Sequence, residues 1–479
     1  MLYRDALAYL DTFTNYERTH QAEAMRAVRP ERMLRLCERL GHPQHRFRSI
    51  LVAGTNGKGS ICAMTYAILR AANLRVGLYT SPHVEDLRER IRVSDRGGTI
   101  LAAEEVSAAA GLPTPASDWI GQREFATLVK RVQPVVEALR REFPDDPLTY
   151  FEVLTALAWL QFVQHGVEVA VLEVGLGGRL DATNVVDPAV TVIGPIGLDH
   201  TDVLGTELAA IAREKAGIIK SGVTLTAPQA PEVLALLRET AAARGGRLLE
   251  CGRDFSAQVT AHTPHGLVLT LHGVRGRYEG TQVSLLGRHQ ADNAALAVAA
   301  VESLSETGVP YSAVQVGLSQ VQWPGRLEVV HDAPFTVLDG AHNPPAAQAL
   351  RTALEELWPG RRMHLLIGMS NDKDIQAAAR ILGPVAASVI CATSGHPRAC
   401  APERLQEQFA PYTQVTAIAD PIDALMYLFN VIDPQDVVVV TGSLFLVGAV
   451  RAALRRAQPQ MRKIKARRLK QTIEESKEA

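Results

Sequence analysis

Seven consecutive residues, Gly54-Thr55-Asn56-Gly57-Lys58-Gly59-Ser60, have the types and spacing to hold a phosphate chain. They stand between a hydrophobic run, Ser49–Ala53, and an apolar helical one, Ser60–Ala72. Glycines leave no Cβ in the way, so backbone N–H groups can converge on an anion, and the following helix presents its positive end. Lys58 adds a full charge able to reach β- and γ-phosphates. In the common phosphate loop, GxxxxGK[ST], the hydroxyl residue follows the lysine directly. Here only two residues separate Gly54 from Gly57, and Gly59 stands between Lys58 and Ser60. The string is therefore a variant, in which Ser60 need not be a metal ligand.

A second group of residues lies downstream. Val167–Leu172 is predicted to be a buried strand ending in Glu173, with Gly175, Gly177 and Gly178 behind it. A carboxylate at the carboxyl end of a parallel strand near a phosphate loop is placed to hold Mg²⁺ on a nucleotide. The plainer alternative is a core-edge glutamate that caps a helix. Asp199-His200 follows the next expected strand, Thr191–Ile196, after a short loop. Alone, His200 would be a structural histidine; with the loop and Glu173 on neighbouring strand ends, it becomes a site candidate. Lys215, in Arg213-Glu214-Lys215-Ala216-Gly217, sits on a helix and by itself reads as a surface lysine.

Alternating strands and helices must position these groups. The first 48 residues read as two amphipathic helices. Strands are then expected at Ser49–Ala53, Arg75–Thr80, Val167–Val174, Thr191–Ile196 and Val223–Leu225, with helices at Ser60–Ala72, Phe151–His165, Leu208–Lys215 and Asn293–Leu304. Such alternation means βαβ units and a mainly parallel sheet. Short alternating runs at about 247–285 suggest a small antiparallel insert. After Trp323-Pro324-Gly325 the pattern restarts. Strands at 336–338, 363–367, 388–391 and 437–441 alternate with helices at 345–357, 375–382, 421–431 and 445–455. The expected organisation is a phosphate-loop α/β domain over 1–321, a second, Rossmann-like α/β domain over 322–455, and a charged tail over 456–479. Residues 94–123 read as a surface excursion. The tail carries eight basic residues between Arg455 and Lys470; a solvated or frayed helix is the plain reading, and a nucleic-acid or partner-binding tail the other.

Composition sets the outer bounds. With 479 residues, two or three domains are expected, and 47% apolar with 21% charged residues is an ordinary globular balance. Lys plus Arg number 50 and Asp plus Glu 51, which argues against a surface dedicated to nucleic acid or anionic membrane. Five scattered cysteines without a CxxC pair argue against a disulfide scaffold or thiolate zinc site. The amino terminus lacks the apolar core of a secretory signal, and no apolar run approaches membrane-span length. A cytoplasmic protein is expected.

Taken together, the motifs resemble the folylpolyglutamate synthase and dihydrofolate synthase family, a branch of the Mur ligase superfamily. The matching stretches include Gly54–Ser60, Thr80-Ser81-Pro82-His83, Tyr150-Phe151-Glu152, Glu173–Asn184 and Gly197–Asp202. Further on come Arg213–Ile218, Gly287–Asn293, Pro324-Gly325-Arg326, Leu338–Pro344, Asn371–Asp374 and Thr441-Gly442-Ser443. They run in the family's order from about residue 30 to 452. Glu173–Asn184 and Leu338–Pro344 are the most specific. The departures are the long 94–123 excursion, the tail beyond Arg455, and the absence of a recognisable pteroate-loop string in His20–Arg29.

The resemblance implies an ATP-dependent acid–amino-acid ligase that joins L-glutamate to folates and to dihydropteroate. It implies that Lys58 and the amides of Gly54, Thr55, Asn56, Gly57, Gly59 and Ser60 hold the triphosphate. Asn293, Arg326 and Asp339 would complete the ATP contacts; Ser81, Glu173 and His200 would ligate one or two Mg²⁺ ions; and Lys215 would be carbamylated. Lys58, His200 and Lys215 would serve the chemistry, and Lys373, Asp374 and Ser443 the incoming glutamate. The chain would act as a monomer without nucleic acid or membrane. The substrate carboxylate would become an acyl phosphate that the glutamate amine attacks. One rival is a peptidoglycan Mur ligase, which needs a UDP-binding domain ahead of the phosphate loop, where some 50 residues are too few for one. The other is a non-enzymatic ATP-dependent binding protein, which leaves Glu173, His200 and the second α/β domain unexplained.

Overall fold

In a computed structural model of the chain, residues 1–19, 29–94, 118–304, 309–332 and 334–457 are described. Most of His20–Arg29, the excursion from 95 to 117 and the tail from 458 onward lie outside them. The chain divides into two compact units. The first ends at Trp323 and also takes in Gln348–Leu357; the second begins at Pro324.

The first unit is built on a seven-stranded sheet of β1 (Arg48–Ala53), β2 (Val76–Tyr79), β3 (Ile91–Val93), β4 (Val169–Glu173), β5 (Val190–Ile193), β6 (Val223–Thr226) and β7 (Arg247–Glu250), in the order β3-β2-β4-β1-β5-β6-β7. All neighbours are parallel except β2 and β3. Every residue of β2, β4 and β5 is buried, because helices cover both faces of a parallel sheet. Period-two alternation sorts the side chains. Ile50, Val52, Val169, Val171, Val190 and Val192 join the core under helices Lys58–Ala71 and Gln290–Leu304. Leu51, Ala53, Ala170, Leu172 and Ile193 join the core under Gln122–Glu142 and Tyr150–Gln164. Gln290–Leu304 is alanine-rich and buried on nearly every side, which lets it pack closely against Lys58–Ala71.

A three-stranded antiparallel sheet, β8 (Ser256–Thr263), β9 (Gly266–His272) and β10 (Arg277–Val283), is attached to this unit. It is pinned by buried Glu302, whose carboxylate accepts the N–H groups of Val274 (2.6 Å), Arg275 (3.1 Å) and Gly276 (2.9 Å) and the Tyr278 hydroxyl (2.8 Å). The sheet begins later than the expected start near 247. Arg247–Glu250 instead pairs parallel with β6, since its buried Leu249 and Glu250 extend the large sheet. The helix Gln122–Glu142 also starts inside the expected 94–123 excursion. It carries helical spacing at Phe125, Leu128, Val132, Val136 and Leu139, all buried, and holds Pro134 in its interior. Before β1 the described residues hold three α-helical segments, Tyr3–Leu10, Tyr16–Thr19 and Pro30–Arg39, and a 3-10 turn at Pro43–His45, where two helices were expected.

The second unit has a six-stranded sheet of β11 (Glu328–Asp332), β12 (Phe335–Leu338), β13 (Met363–Ile367), β14 (Ala386–Cys391), β15 (Gln414–Ala417) and β16 (Val437–Thr441), in the order β11-β12-β16-β13-β14-β15. Only β11 with β12 is antiparallel. Among the described residues no helix is long and apolar enough to cross a membrane.

Candidate active site

Strand order decides which loops become neighbours. In the first unit β2, β4, β1 and β5 are consecutive, so their carboxyl ends form a row about 5 Å apart, strand to strand. Along that row stand Ser81 after β2, Glu173 closing β4, the Gly54–Ser60 loop after β1, and Asp199-His200 after β5. Ligands of open parallel sheets bind at this edge. Four sequence-predicted groups, scattered over nearly 150 residues, are thereby brought to one edge of one sheet.

The phosphate loop is held from below and from the side. Thr55 N–H donates to the Pro195 carbonyl (2.8 Å), and the Thr55 hydroxyl exchanges hydrogen bonds with the Gly197 N–H and carbonyl, both at 3.0 Å. The loop is thus tied to the segment that leads to His200. Gly57 has φ 79°, and a Cβ there would lie 2.6 Å from Asn293 Oδ1. Only glycine fits. Asn293 is buried, and its amide donates to Gln290 Oε1 (2.9 Å) while Gln290 reaches the Ser60 hydroxyl (3.4 Å). Ser60 is accordingly tied into the helix packing. Trp323 lies over Gly59, where a Cβ would approach its indole Nε1 to 2.7 Å.

Two lysines converge on this loop. Lys58 Nζ donates to the carbonyls of Gly54 (3.0 Å) and Thr55 (3.3 Å). Lys215, expected from its own surroundings to be at the surface, is 4% exposed, and its Nζ donates to the same Gly54 carbonyl at 2.9 Å. Burial, and then the Lys58 charge, pull its pKa down to about 7, with Asp199 acting in the opposite direction. Glu173 is also buried, and its Oε2 accepts the Ser81 N–H at 3.1 Å. His200 adopts φ 49°, a left-handed turn at the start of Thr201–Leu204, with its N–H on Asp199 Oδ1 (2.9 Å).

The glycine-rich string after Glu173 folds against the lysine helix Leu208–Ala216. A Cβ on Gly178 would lie 2.8 Å from the Glu214 carbonyl and 3.1 Å from that of Lys215. A Cβ on Gly217 would fall 2.3 Å from Arg179 Cβ. Arg179 N–H donates to the Glu214 carbonyl (2.8 Å), and its guanidinium pairs with the Glu214 carboxylate (2.8 Å). Asp181, to which the sequence assigned no role of its own, organises this loop. Its carboxylate accepts the N–H groups of Gly175 (3.0 Å), Leu176 (3.1 Å) and Thr183 (2.9 Å) and the Thr183 hydroxyl (2.6 Å). An aspartate set among glycines was the available signal.

The remaining expected residues belong to the second unit. Asp339 follows β12 and is buried, accepting the N–H groups of Leu327 (2.9 Å) and Ala341 (2.8 Å). Burial raises its pKa, while the Arg326 guanidinium and these two bonds lower it. Arg326 Nη1 donates to the Gly325 carbonyl at 3.0 Å. Ser443 follows β16; its hydroxyl accepts the Phe445 N–H (3.2 Å) at the start of the helix over 444–457. Asp374 caps Ile375–Leu382 through the Ala377 N–H (2.9 Å), and Lys373 lies 3.7 Å from Asp372. Asp339, Ser443 and the Lys373-Asp374 pair all follow the carboxyl ends of β12, β16 and β13, which are adjacent strands.

Residues 125–301 match the family profile described as the Mur ligase middle domain, and 325–444 the profile described as Mur ligase, glutamate ligase domain. The chain is 34% identical over 432 residues to the dihydrofolate synthase/folylpolyglutamate synthase of Bacillus subtilis, covering 88% of this chain and 94% of that protein. With its Escherichia coli counterpart it shares 35% over 399 residues, covering 83% and 85%. The solved Mycobacterium tuberculosis folylpolyglutamate synthase complexed with ADP superposes with a TM-score of 0.82 at 31% identity, over 94% of this chain and 98% of that one. E. coli FolC in complex with DHPP and ADP gives 0.78 at 30%, over 98% and 99%. The chain belongs to the folylpolyglutamate synthase and dihydrofolate synthase family of Mur ligases.

Proposed function

We propose that the chain ligates L-glutamate to folates, and also to dihydropteroate, with cleavage of ATP to ADP and phosphate, acting as a cytoplasmic monomer. Its five cysteines are free thiols, which suits a reducing compartment. The observation that carries the function is the row of strand ends: a phosphate loop flanked by Glu173 on one side and His200 on the other, in a chain of this family.

The amides of Gly54 to Ser60 and the Lys58 ammonium would hold the triphosphate, with Asn293 behind the loop; Arg326 and Asp339 are the candidates for the remaining ATP contacts. Among the described residues no group of three or more His, Cys, Asp or Glu side chains is gathered to hold a metal. The donor set still fits Mg²⁺, which takes one or two carboxylates and draws its other ligands from phosphate and water. Glu173, Ser81 and His200 would hold it, and Mg²⁺ would offset charge on the phosphate oxygens. The substrate carboxylate attacks the γ-phosphorus, and ADP leaves. Lys58 and Arg326 stabilise the charge that develops on the transferring group. The glutamate amine, positioned by Lys373 and Ser443, then attacks the acyl carbon and phosphate departs. Asp374 would contribute by holding the helix that follows Lys373.

Lys215 would carry a carbamate. Its buried amine, with a pKa of about 7, is substantially neutral at physiological pH. The neutral nitrogen adds to CO₂, releases one proton, and becomes an anion beside the phosphate loop. Phosphate release with tetrahydrofolate, dihydropteroate or a UDP-muramyl peptide, each with and without glutamate, tests the function. Glutamate-dependent turnover of both pterin substrates is expected. Turnover of the muramyl substrate alone would overturn the assignment, and use of a single pterin substrate would restrict it.

A further inference from the structure

The segment Gly194–Gly197, which supports the phosphate loop, has a second side. Residues 195 and 197 face the loop: the Pro195 carbonyl accepts from Thr55 N–H (2.8 Å) and Asn56 N–H (3.4 Å), and Gly197 holds the Thr55 hydroxyl. Gly194 N–H donates to the Ala53 carbonyl (2.7 Å), while its carbonyl and the Ile196 N–H turn to Gln229. The Gln229 amide donates to the Gly194 carbonyl (2.9 Å) and to the Thr226 hydroxyl (3.1 Å), while its Oε1 accepts the Ile196 N–H (3.1 Å).

The regular alternation of the strand ends at Gly194, whose N–H and carbonyl point to opposite neighbours. β5 and β6 pair through Ile193 and Thr226, and one more bond, from Ala227 N–H to the Ile193 carbonyl (2.9 Å), continues the ladder. There Pro228 removes the backbone donor and the chain turns into the helix Pro231–Ala243. A glutamine carboxamide carries the same donor and acceptor as a peptide group. Gln229 bridges the Gly194 carbonyl and the Ile196 N–H from its side chain, where the backbone of β6 no longer pairs. A carboxylate could accept from Ile196 but could not donate to Gly194. An apolar side chain could do neither.

We infer that Gln229 is a positioning residue for nucleotide binding: its carboxamide fixes Gly194–Gly197 in the register that the phosphate loop rests on. This rests on the reading of Gly54–Ser60 as the triphosphate seat. It predicts a selective defect, because the segment touches the phosphate loop through Thr55 and Asn56, whereas Gln229 itself touches no expected folate or glutamate residue.

The test compares wild type, Gln229→Met, Gln229→Glu and Thr226→Val in the full-length protein. ADP and ATP dissociation constants are measured by titration calorimetry, and steady-state constants are measured for ATP, tetrahydrofolate and glutamate. Gln229→Met and Gln229→Glu should each weaken nucleotide binding and raise the KM for ATP at least ten-fold, with the KM for tetrahydrofolate within two-fold of wild type. Thr226→Val, which leaves both bonds from Gln229 to the segment in place, should stay within three-fold throughout. Nucleotide binding unchanged in a folded Gln229→Glu protein would overturn the inference. So would an equal decline in all constants that follows a fall in melting temperature, because that marks a merely structural residue. A wild type that binds no ATP would instead refute the function proposed for the loop.

Discussion

Lys58 and Lys215 meet on one oxygen atom: the Gly54 carbonyl accepts from Lys58 Nζ at 3.0 Å and from Lys215 Nζ at 2.9 Å. Two cations on one acceptor repel, and the more deeply buried one yields its proton more easily. Lys58 is partly exposed and Lys215 is buried. A neutral amine still donates to the Gly54 carbonyl, so the contact survives deprotonation. The Lys58 charge thus adds to burial in lowering the Lys215 pKa.

Stability should therefore depend on pH through Lys215. In CO₂-free buffer the unfolded chain keeps this proton up to the ordinary lysine value, 10.5, whereas the folded chain releases it near 7. Between these values the unfolded state binds the extra proton, so stability rises with pH. Denaturant unfolding at pH 7, 8 and 9 should show wild type gaining on Lys215→Met by up to ~1.4 kcal/mol per pH unit. Parallel pH profiles for the two proteins would rule this out.

Glu173→Gln should lower kcat by about 100-fold or more while leaving the melting temperature within ~2 °C. The amide oxygen can still accept the Ser81 N–H, so local structure is kept and only the charge is lost. Near-normal turnover with unchanged Mg²⁺ dependence would exclude a metal-binding role.

Gly178→Ala should destabilise the first unit by about 1–3 kcal/mol and reduce activity, because its new methyl meets the Glu214 and Lys215 carbonyls, which are backbone and cannot swing aside. Gly121→Ala is the matched control. Its Cβ would meet nothing nearer than Glu124 Cβ at 3.9 Å, and a change within ~0.5 kcal/mol is expected. Urea unfolding of both variants decides the matter.

Asp181→Ala should cost about 3 kcal/mol or more, since four donors, three of them backbone N–H groups, lose a charged acceptor. Asp181→Asn keeps one oxygen acceptor and should fall between. Activity should decline in the same order, because Asp181 shapes the turn directly behind Glu173. Equal stability of the alanine variant and wild type by urea unfolding would show that the loop does not depend on this carboxylate.

Local chemistry was legible without a fold. The candidate phosphate loop is contained in seven residues, and the reading of it rests on glycine, lysine and the flanking strand and helix. The buried strands β1, β4, β13 and β16 were legible too, as β-branched and leucine runs with sharp ends. Gln122–Glu142 was obscured, because its helical spacing runs across Pro134 and its first residues overlap an irregular stretch. The β7 strand was assigned to the antiparallel insert, because four residues of strand pattern do not say which partner they pair with.

What the sequence by itself determined was the set of chemical groups and the fact that Gly54–Ser60, Glu173 and His200 stand where strands end or helices begin, since both are short-range properties. Tertiary structure alone decided which strand ends stand side by side. The order β2-β4-β1-β5 skips across the chain, and loop closure between distant segments leaves no periodic trace. It alone turned Lys215 from a surface lysine into a buried amine, because desolvation belongs to the surroundings and not to the residue. It alone gave Gln229 its place, since a carboxamide bridges a carbonyl and an N–H only where another segment's backbone runs past it at hydrogen-bond distance.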